Sequence, residues 1–416
     1  MSIQTPGTGT ERLLTLRFAT VVAAGLAYFL SLGMLLPVVP LYVEGPLGGS
    51  DLAVGVVVGG FAVGAVLVRP LAGRLGDRRG RKALIIAGGL IVGLTTLAYQ
   101  PVAAVPALFA VRVLGGIGEA AFFVGAGTMA TDLAPEARRG EAISYWSIAV
   151  YGGLAFGPWL GEWVLDGDHF DRVWLVSAGL GLLSAAIGAC TRETVQRHPD
   201  PVGGPAPSPS PLLHRASLAP GLVLFLGIVG LAGFVAFVPL YVDEIGLQDS
   251  RAVFLLYGCT VLAVRIFGAR IPDRFGPLAS GSLAMSASAA GLVVIAAVHS
   301  PMGLYLGTFV FSLGMSLLYP AMLTLALTGV PERERGSAVG TISSFFDLSQ
   351  GLGAVILGAA VALAGYRGAF VGAAAMAVLG VVLLRSGIDR RTTAPTDHDA
   401  ATAAREHVEH VEPEPT

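Results

Sequence analysis

Pro40-Leu41-Tyr42-Val43-Glu44 and Pro239-Leu240-Tyr241-Val242-Asp243 are nearly the same five residues, and each ends a long uncharged run of this chain. The repetition continues at an offset of 196 positions. The residues that return at this offset are Arg69, Arg74, Asp77, Arg78, Gly80, Pro135-Glu136 and Arg139-Gly140, which become Arg265, Arg270, Asp273, Arg274, Gly276, Pro331-Glu332 and Arg335-Gly336. The second half therefore repeats the first. A duplicated set of membrane helices is typical of transporters that work by alternating access.

The composition indicates an integral membrane protein. Of 416 residues, 54% are hydrophobic and 13% are charged, against about 25% charged in an ordinary soluble domain. Lys82 is the only lysine, which leaves no basic patch for nucleic acid. Cys190 and Cys259 lie in apolar runs, where we expect buried thiols rather than a disulfide. We also expect no cofactor and no metal ion.

The apolar runs predict an all-α membrane protein with twelve transmembrane helices in two pseudo-symmetric six-helix bundles, because about 20 apolar residues span a bilayer as a helix. The predicted spans are 18–43, 52–73, 83–99, 102–130, 142–164, 173–191, 218–242, 252–271, 278–298, 302–328, 337–363 and 368–385. The predicted domains are an N-terminal tail (1–17), a first bundle (18–191), a polar, Pro-rich linker (192–217), a second bundle (218–385) and a disordered tail (386–416). The first run is too long for a signal peptide, so it should remain as the first span.

Arginines predict the orientation of these spans, since cytoplasmic loops of membrane proteins are enriched in basic residues. The arginines lie before the first span and in every second connection between spans. The connections on the other side of the membrane carry mainly acidic residues such as Glu44, Asp51 and Asp243. We therefore expect both termini, the linker and the tail to be cytoplasmic. The predicted location is the plasma membrane, as a monomer in the inner membrane of a bacterium.

The loop after the second span reads Gly73-Arg74-Leu75-Gly76-Asp77-Arg78-Arg79-Gly80-Arg81-Lys82. It resembles the cytoplasmic signature G-x-L-x-D-R-x-G-R-[KR] of the major facilitator superfamily at every fixed position. The resemblance implies a conformational latch formed by Gly73, Asp77, Arg78, Gly80 and Arg81, in which Asp77 meets the positive N-terminus of span eleven near Gly336. This contact would hold the two halves in the outward-open state. Positive charge on the cytoplasmic side alone would not require the glycines and Asp77 in register.

Two further motifs are similar to those of proton-coupled exporters in that family. Span four carries Arg112, Gly116 and Gly118 in an R-x-x-x-G-x-G pattern, although Gly115 stands where many relatives have glutamine. Span five resembles the antiporter motif G-x-x-x-G-P-x-x-G-G, in which Glu162 replaces the last glycine. The residues of this second motif are Gly153, Gly157, Pro158 and Gly161. Their spacing also fits a simple helix-packing face.

Three charged residues within apolar spans are the candidates for proton coupling. Asp347 lies near the middle of span eleven, and a charged side chain there costs about 2.5–3.5 kcal/mol on insertion scales. Arg112 and Glu119 lie seven residues apart on one face of span four, which we expect to line a cavity. The alternative is that the carboxylates are only structural partners of an arginine or of a helix terminus. Arg69 and Arg265 are interpreted as snorkelling to the cytoplasmic face.

The substrate is expected to be a small amphipathic organic compound. Aromatic and methionine side chains in the spans could line a largely apolar cavity, and the candidates are Tyr28, Phe29, Met34, Phe122, Phe123, Phe234, Phe311, Met315 and Tyr319. The predicted function is proton-coupled efflux (antiport) of such a compound by alternating access. The alternatives are proton-coupled import of a sugar, organic acid or osmolyte, and binding without transport. No motif of an enzyme is present in the sequence.

Overall fold

The computed structural model describes residues 13–135, 138–194, 214–267, 271–331 and 334–392, and this part of the chain is helical apart from short connections. The helices are α1 (Leu16–Glu44), α2 (Asp51–Arg79), α3 (Arg81–Leu97), α4 (Val105–Asp132), α5 (Arg139–Leu165), α6 (Phe170–Ala189), α7 (Arg215–Glu244), α8 (Arg251–Phe267), α9 (Ile271–Ala297), α10 (Pro301–Leu327) and α11 (Arg335–Thr392).

The long helix α11 contains two membrane spans. Gly365 has φ 68°, a conformation that glycine adopts without strain, and it separates an arm 335–364 from an arm 366–392. Eight of the described helices, with α11 counted once, are long and apolar enough to cross a membrane. The others are α5 and the 17-residue helices α3 and α8. With α11 divided at Gly365, the predicted count of twelve transmembrane helices is confirmed.

The two halves of the chain form separate bundles. Within the first half α1 packs against α5 and α6, and α4 packs against α2 and α3. Within the second half α11 packs against α7 and α9, and α10 packs against α8 and α9. Among the described residues, the halves meet mainly where α2 packs against α11, α5 against α8 and α1 against α7, with a smaller contact between α2 and α7. Any site between the halves therefore lies along one of these contacts, which we call seams.

We name the two ends of the molecule by their charges: the acidic end carries Glu44, Asp51 and Glu162, and the basic end carries Arg74 and Arg81. The two halves of the chain pack closely near the acidic end, where a Cβ added to Gly358 would lie 2.7 Å from the Asp51 carbonyl oxygen.

Toward the basic end, two glycines of these helices have no close neighbour. A Cβ added to Gly73 of α2 or to Gly340 of α11 would meet no described atom within 4 Å, and Leu71 is 58% exposed. The described close contacts between α2 and α11 thus lie toward the acidic end.

Several sequence expectations need correction. Helix α2 runs to Arg79 rather than ending near residue 73, α7 begins at Arg215, and residues 386–392, predicted as tail, are helical. Cys190, which directly follows α6, and Cys259 of α8 are exposed rather than buried. Most of the linker (195–213), the N-terminal residues 1–12 and the tail from residue 393 lie outside the described residues.

Candidate functional site

An ion cluster joins the two halves along the seam between α2 and α11. Arg69 Nη2 donates to both carboxylate oxygens of Glu119, at 3.1 and 2.9 Å. Arg69 Nε lies 3.1 Å from Asp347 Oδ2. The side chains are only 19%, 12% and 9% exposed for Arg69, Glu119 and Asp347. One guanidinium therefore bridges a carboxylate of the first half to a carboxylate of the second.

The helix lengths place this cluster near the middle of the membrane. Arg69 lies ten residues before the end of α2, which is about 15 Å along a helix. Asp347 lies twelve residues after the start of α11, about 18 Å along it. The interpretation of Arg69 as a residue that snorkels to the membrane face was therefore wrong. The error arose because the predicted second span ended near residue 73, which placed Arg69 close to the membrane surface.

Arg112 lies on the same face of α4 as Glu119, but it has different partners. Its guanidinium lies 4.6 Å from the centroid of the Phe61 ring, and its Nε and Nη2 donate to the carbonyl oxygens of Val57 and Val58 at 3.5 Å. All these partners belong to α2. The face expected to line a cavity thus packs against α2, which explains how both charges are tolerated.

The aromatic candidates of the first half form a packed cluster. Tyr28 stacks on Phe122 with ring centroids 3.8 Å apart, and both side chains are fully buried. Phe29 is buried against Phe122 and Phe123. Phe123 is half-buried and lies 5.0 Å below the Arg69 guanidinium. Of these residues, Phe123 has both partial exposure and contact with the ion cluster.

The remaining cavity candidates are also mostly buried. Phe234 packs against Phe311 with centroids 5.2 Å apart, and both are inaccessible to solvent. Met34 and Met315 are buried as well. Tyr319 is half-buried and meets the edge of Phe346. Seven of the nine candidates therefore do not line an open cavity in this structure, because their side chains are buried in the interior.

The segment predicted as a latch has internal partners within the first half. Gly80 has φ 106°, which fits the glycine of the motif. Arg81 forms an ion pair with Asp132 at 3.2 Å. The Glu193 carboxylate accepts the backbone N–H groups of Arg81 and Lys82 at 2.9 and 3.1 Å, and so caps α3. The side chains of Asp77, Arg78 and Arg335, and the surroundings of Gly336, lie outside what the structure describes.

The antiporter-like motif of α5 packs against α1. A Cβ added to Gly153 would lie 2.5 Å from Phe29 Cβ, and one added to Gly157 would lie 2.5 Å from Gly33 Cα. Gly161 approaches the backbone of Met34 in the same way. Pro158 lies within the helix, where it removes one backbone donor. The glycines thus allow close approach of the two helices, as a small-residue stripe does in membranes.

We expect Gly157→Ala to destabilise the protein by about 1–3 kcal/mol, because the added methyl group has no space between α5 and α1. Thermal unfolding of the purified protein in lipid nanodiscs measures this change. The matched control is Gly179→Ala in α6, where an added Cβ meets no described atom within 4 Å. Equal stability of the two variants would contradict the packing role.

A second polar contact joins the halves at the acidic end. Glu162, at the last turn of α5, accepts the backbone N–H of Ser250 at 3.0 Å and the Ser250 hydroxyl. Glu162 and Ser250 are both buried. Since Ser250 directly precedes α8, the carboxylate lies at the N-terminus of that helix, where negative charge is favourable. Glu162 therefore fastens α5 to α8.

A third contact between the halves involves Arg265, the repeat of Arg69. Its guanidinium carbon lies 3.5 Å from the centroid of the Tyr151 ring in α5. Tyr151 occupies the position 196 residues before Asp347. Each of the two arginines therefore contacts the same position of the repeat in the other half of the chain. This position is Asp347 in the α2–α11 seam and Tyr151 in the α8–α5 seam.

Sequence reasoning missed Arg69, Tyr151, Glu162 and Arg265 as functional candidates. The recurrence of Arg69 as Arg265 at the repeat offset was a usable signal, since both copies keep a costly charge in an apolar span. Glu162 was visible as a departure from the glycine motif.

Comparison with known proteins agrees with this architecture. The Major Facilitator Superfamily model matches residues 21–354 and 282–411. An uncharacterised MFS-type transporter of Salmonella typhimurium is 30% identical over 385 residues, which cover 90% of this chain and 97% of that protein.

Two solved structures share the fold at low sequence identity. A bacterial homologue of the human lysosomal transporter Spinster, in an inward-facing and unoccupied conformation, aligns with a TM-score of 0.75 at 16% identity, covering 90% of this chain and 97% of that one. The human organic anion transporter MFSD10 aligns with a TM-score of 0.67 at 19% identity, covering 88% and 98%. The chain is a multi-pass membrane transporter of the major facilitator superfamily.

Proposed function

We propose that this protein is a proton-coupled antiporter that exports a small amphipathic organic compound by alternating access. The observation that carries the proposal is the bridge from Glu119 through Arg69 to Asp347. This bridge is a titratable contact between the two halves that must move relative to each other during transport.

The charges of the cluster favour coupling to protons. One guanidinium faces two carboxylates, so the fully ionised cluster carries one excess negative charge at mid-membrane, where charge is costly. One proton makes the cluster neutral. A proton on Asp347 also weakens its attraction to Arg69 and thereby the link between α2 and α11. Proton entry supplies about 2.3 kcal/mol per 100 mV of membrane potential.

We further propose that the basic end faces the cytoplasm, following the arginine rule for cytoplasmic loops. We propose that the conformation described above, with its halves packed closely at the acidic end, is inward-open. Export would require closure of the basic end and opening of the acidic end. In the closed basic end, Asp77 would reach the N-terminus of span eleven as the proposed latch. Two half-buried side chains are proposed to contact the substrate. They are Phe123, which lies beside the ion cluster, and Tyr319, which lies against Phe346.

A second candidate function is proton-coupled import of an organic acid. It is favoured by Arg265, which has no acidic partner among the described residues. An anion that crosses the membrane together with a proton carries no net charge with it. In antiport, by contrast, the proton and the substrate must not be bound at the same time. The direction of the coupled proton flux distinguishes the two functions.

The test is transport by purified protein in proteoliposomes that enclose a pH-sensitive dye. A panel of labelled amphipathic acids, amines and neutral compounds is supplied with and without an imposed pH gradient. We expect at least one compound to accumulate against its gradient, with protons moving in the opposite direction. Protons that move with the compound would establish import by symport instead. Compound flux that ignores the pH gradient would refute proton coupling.

A further inference from the structure

Arg265 is a mid-membrane arginine with no counter-ion among the described residues. Its repeat partner Arg69 contacts two carboxylates, whereas Arg265 contacts the ring of Tyr151. Arg265 Nε is buried and has no hydrogen-bond partner among the residues that the structure describes. An ionised side chain at such a depth is expected to serve a function, because its burial is costly.

The depth of Arg265 follows from its contact with α5. Tyr151 is twelve residues after the start of the 27-residue helix α5, close to its middle. The guanidinium that lies over the Tyr151 ring is therefore near mid-membrane as well, as Arg69 is in the other seam. A structural role as a cap for the end of α8 would require bonds to backbone carbonyl oxygens, and Arg265 makes no such bond to a described residue.

The contact with Tyr151 also orients the guanidinium. A ring below an arginine holds its plane by a cation–π interaction. The N–H groups at the edge of that plane then remain available to a bidentate acceptor, and a carboxylate has the matching geometry. Arg265 is only partly buried, so part of its side chain remains accessible to a solute.

We propose that Arg265, held by Tyr151, binds the anionic group of the transported compound, which is therefore an amphipathic organic anion. This proposal rests on the proton-coupled transport proposed above, in either direction of the compound, and names its substrate class. The apolar part of the anion would lie against the aromatic side chains around the inter-half seams, and its carboxylate would provide the acidic partner that Asp347 provides for Arg69.

The test is equilibrium binding to the full-length protein in lipid nanodiscs, without a pH gradient. The probes are decanoate, 4-phenylbutyrate and indole-3-acetate, each compared with its primary amide. We expect at least one carboxylate to bind about tenfold more tightly than its amide, the order expected of a charge-assisted hydrogen bond. Arg265→Gln should remove this preference, and Arg265→Lys should retain part of it.

The control is Arg172→Gln, because Arg172 is an exposed arginine of α6 at the acidic end, and its carboxylate preference should equal that of the wild type. A wild type that binds no carboxylate more tightly than its amide would overturn the proposal. So would a folded Arg265→Gln protein that keeps the preference. If Arg265→Gln fails to fold, Arg265→Lys decides, since an undiminished preference in that variant would exclude bidentate binding.

Binding and flux separate this inference from the proposed function. Carboxylate binding that depends on Arg265, without proton-driven flux, would support the anion site and refute the coupled transport. Proton-driven flux of amines or neutral compounds, with no carboxylate preference, would do the reverse.

Discussion

Asp347→Asn is expected to abolish accumulation driven by a pH gradient while leaving the protein folded and able to equilibrate its substrate. Asparagine has the shape of aspartate but cannot carry the proton, so the link between Arg69 and α11 becomes independent of pH. For one proton, 100 mV corresponds to about 2.3 kcal/mol, or roughly a 50-fold accumulation ratio. In the variant this ratio should fall to one, as measured by labelled substrate in proteoliposomes.

Companion variants test whether the three residues act as a unit. Glu119→Gln and Arg69→Gln should also lose coupling, because each removes one charged group of the bridge between the halves. Asp168→Asn is the matched control, since Asp168 is exposed in the connection between α5 and α6, and it should accumulate substrate like the wild type. Undiminished accumulation in both Asp347→Asn and Glu119→Gln would exclude the cluster as the coupling site.

Glu162→Ala is expected to open the acidic end. The substitution removes a buried carboxylate that accepts two hydrogen bonds from Ser250 and leaves the start of α8 without its partner. Hydrogen bonds to charged groups contribute about 1.5–3 kcal/mol each, so the loss of one of them alone should raise the ratio of open to closed molecules by about 10- to 150-fold.

Distances between spin labels measure this change. The labels are placed by His169→Cys and Gln248→Cys, two exposed positions on opposite halves at the acidic end, in a background with Cys190→Ser and Cys259→Ser. We expect a longer distance component in Glu162→Ala and an unchanged distribution in the control Asp171→Asn, a charge change at an exposed position of α6. An unaltered distribution in Glu162→Ala would show that the contact does not hold the acidic end closed.

Most of the fold could be predicted from the sequence, because the bilayer imposes a strong length requirement on apolar runs. The predicted spans agree closely with α1, α4 and α10. The break between spans eleven and twelve falls at Gly365, inside the predicted gap. The clearest error was the end of α2, where arginines that belong to the helix were taken as the start of a loop.

Less of the site could be predicted. Glu119 and Asp347 stand out as charges within apolar runs, but their partner depends on how far α2 extends and on which helix faces touch. Seven cavity candidates proved to be packing residues, because an aromatic side chain in a membrane helix looks the same in sequence whether it faces a neighbour or a solute. The contact of Arg265 with Tyr151 required the spatial arrangement of two helices separated by about 100 residues.

The unequal pair Asp347 and Tyr151 shows what duplication allows in such a molecule. Two copies of one repeated contact need not keep the same chemistry, and a different residue at one position gives the two seams different charges. In the proposed mechanism, one seam responds to pH and the other to the transported compound, so each response can change in evolution without altering the other.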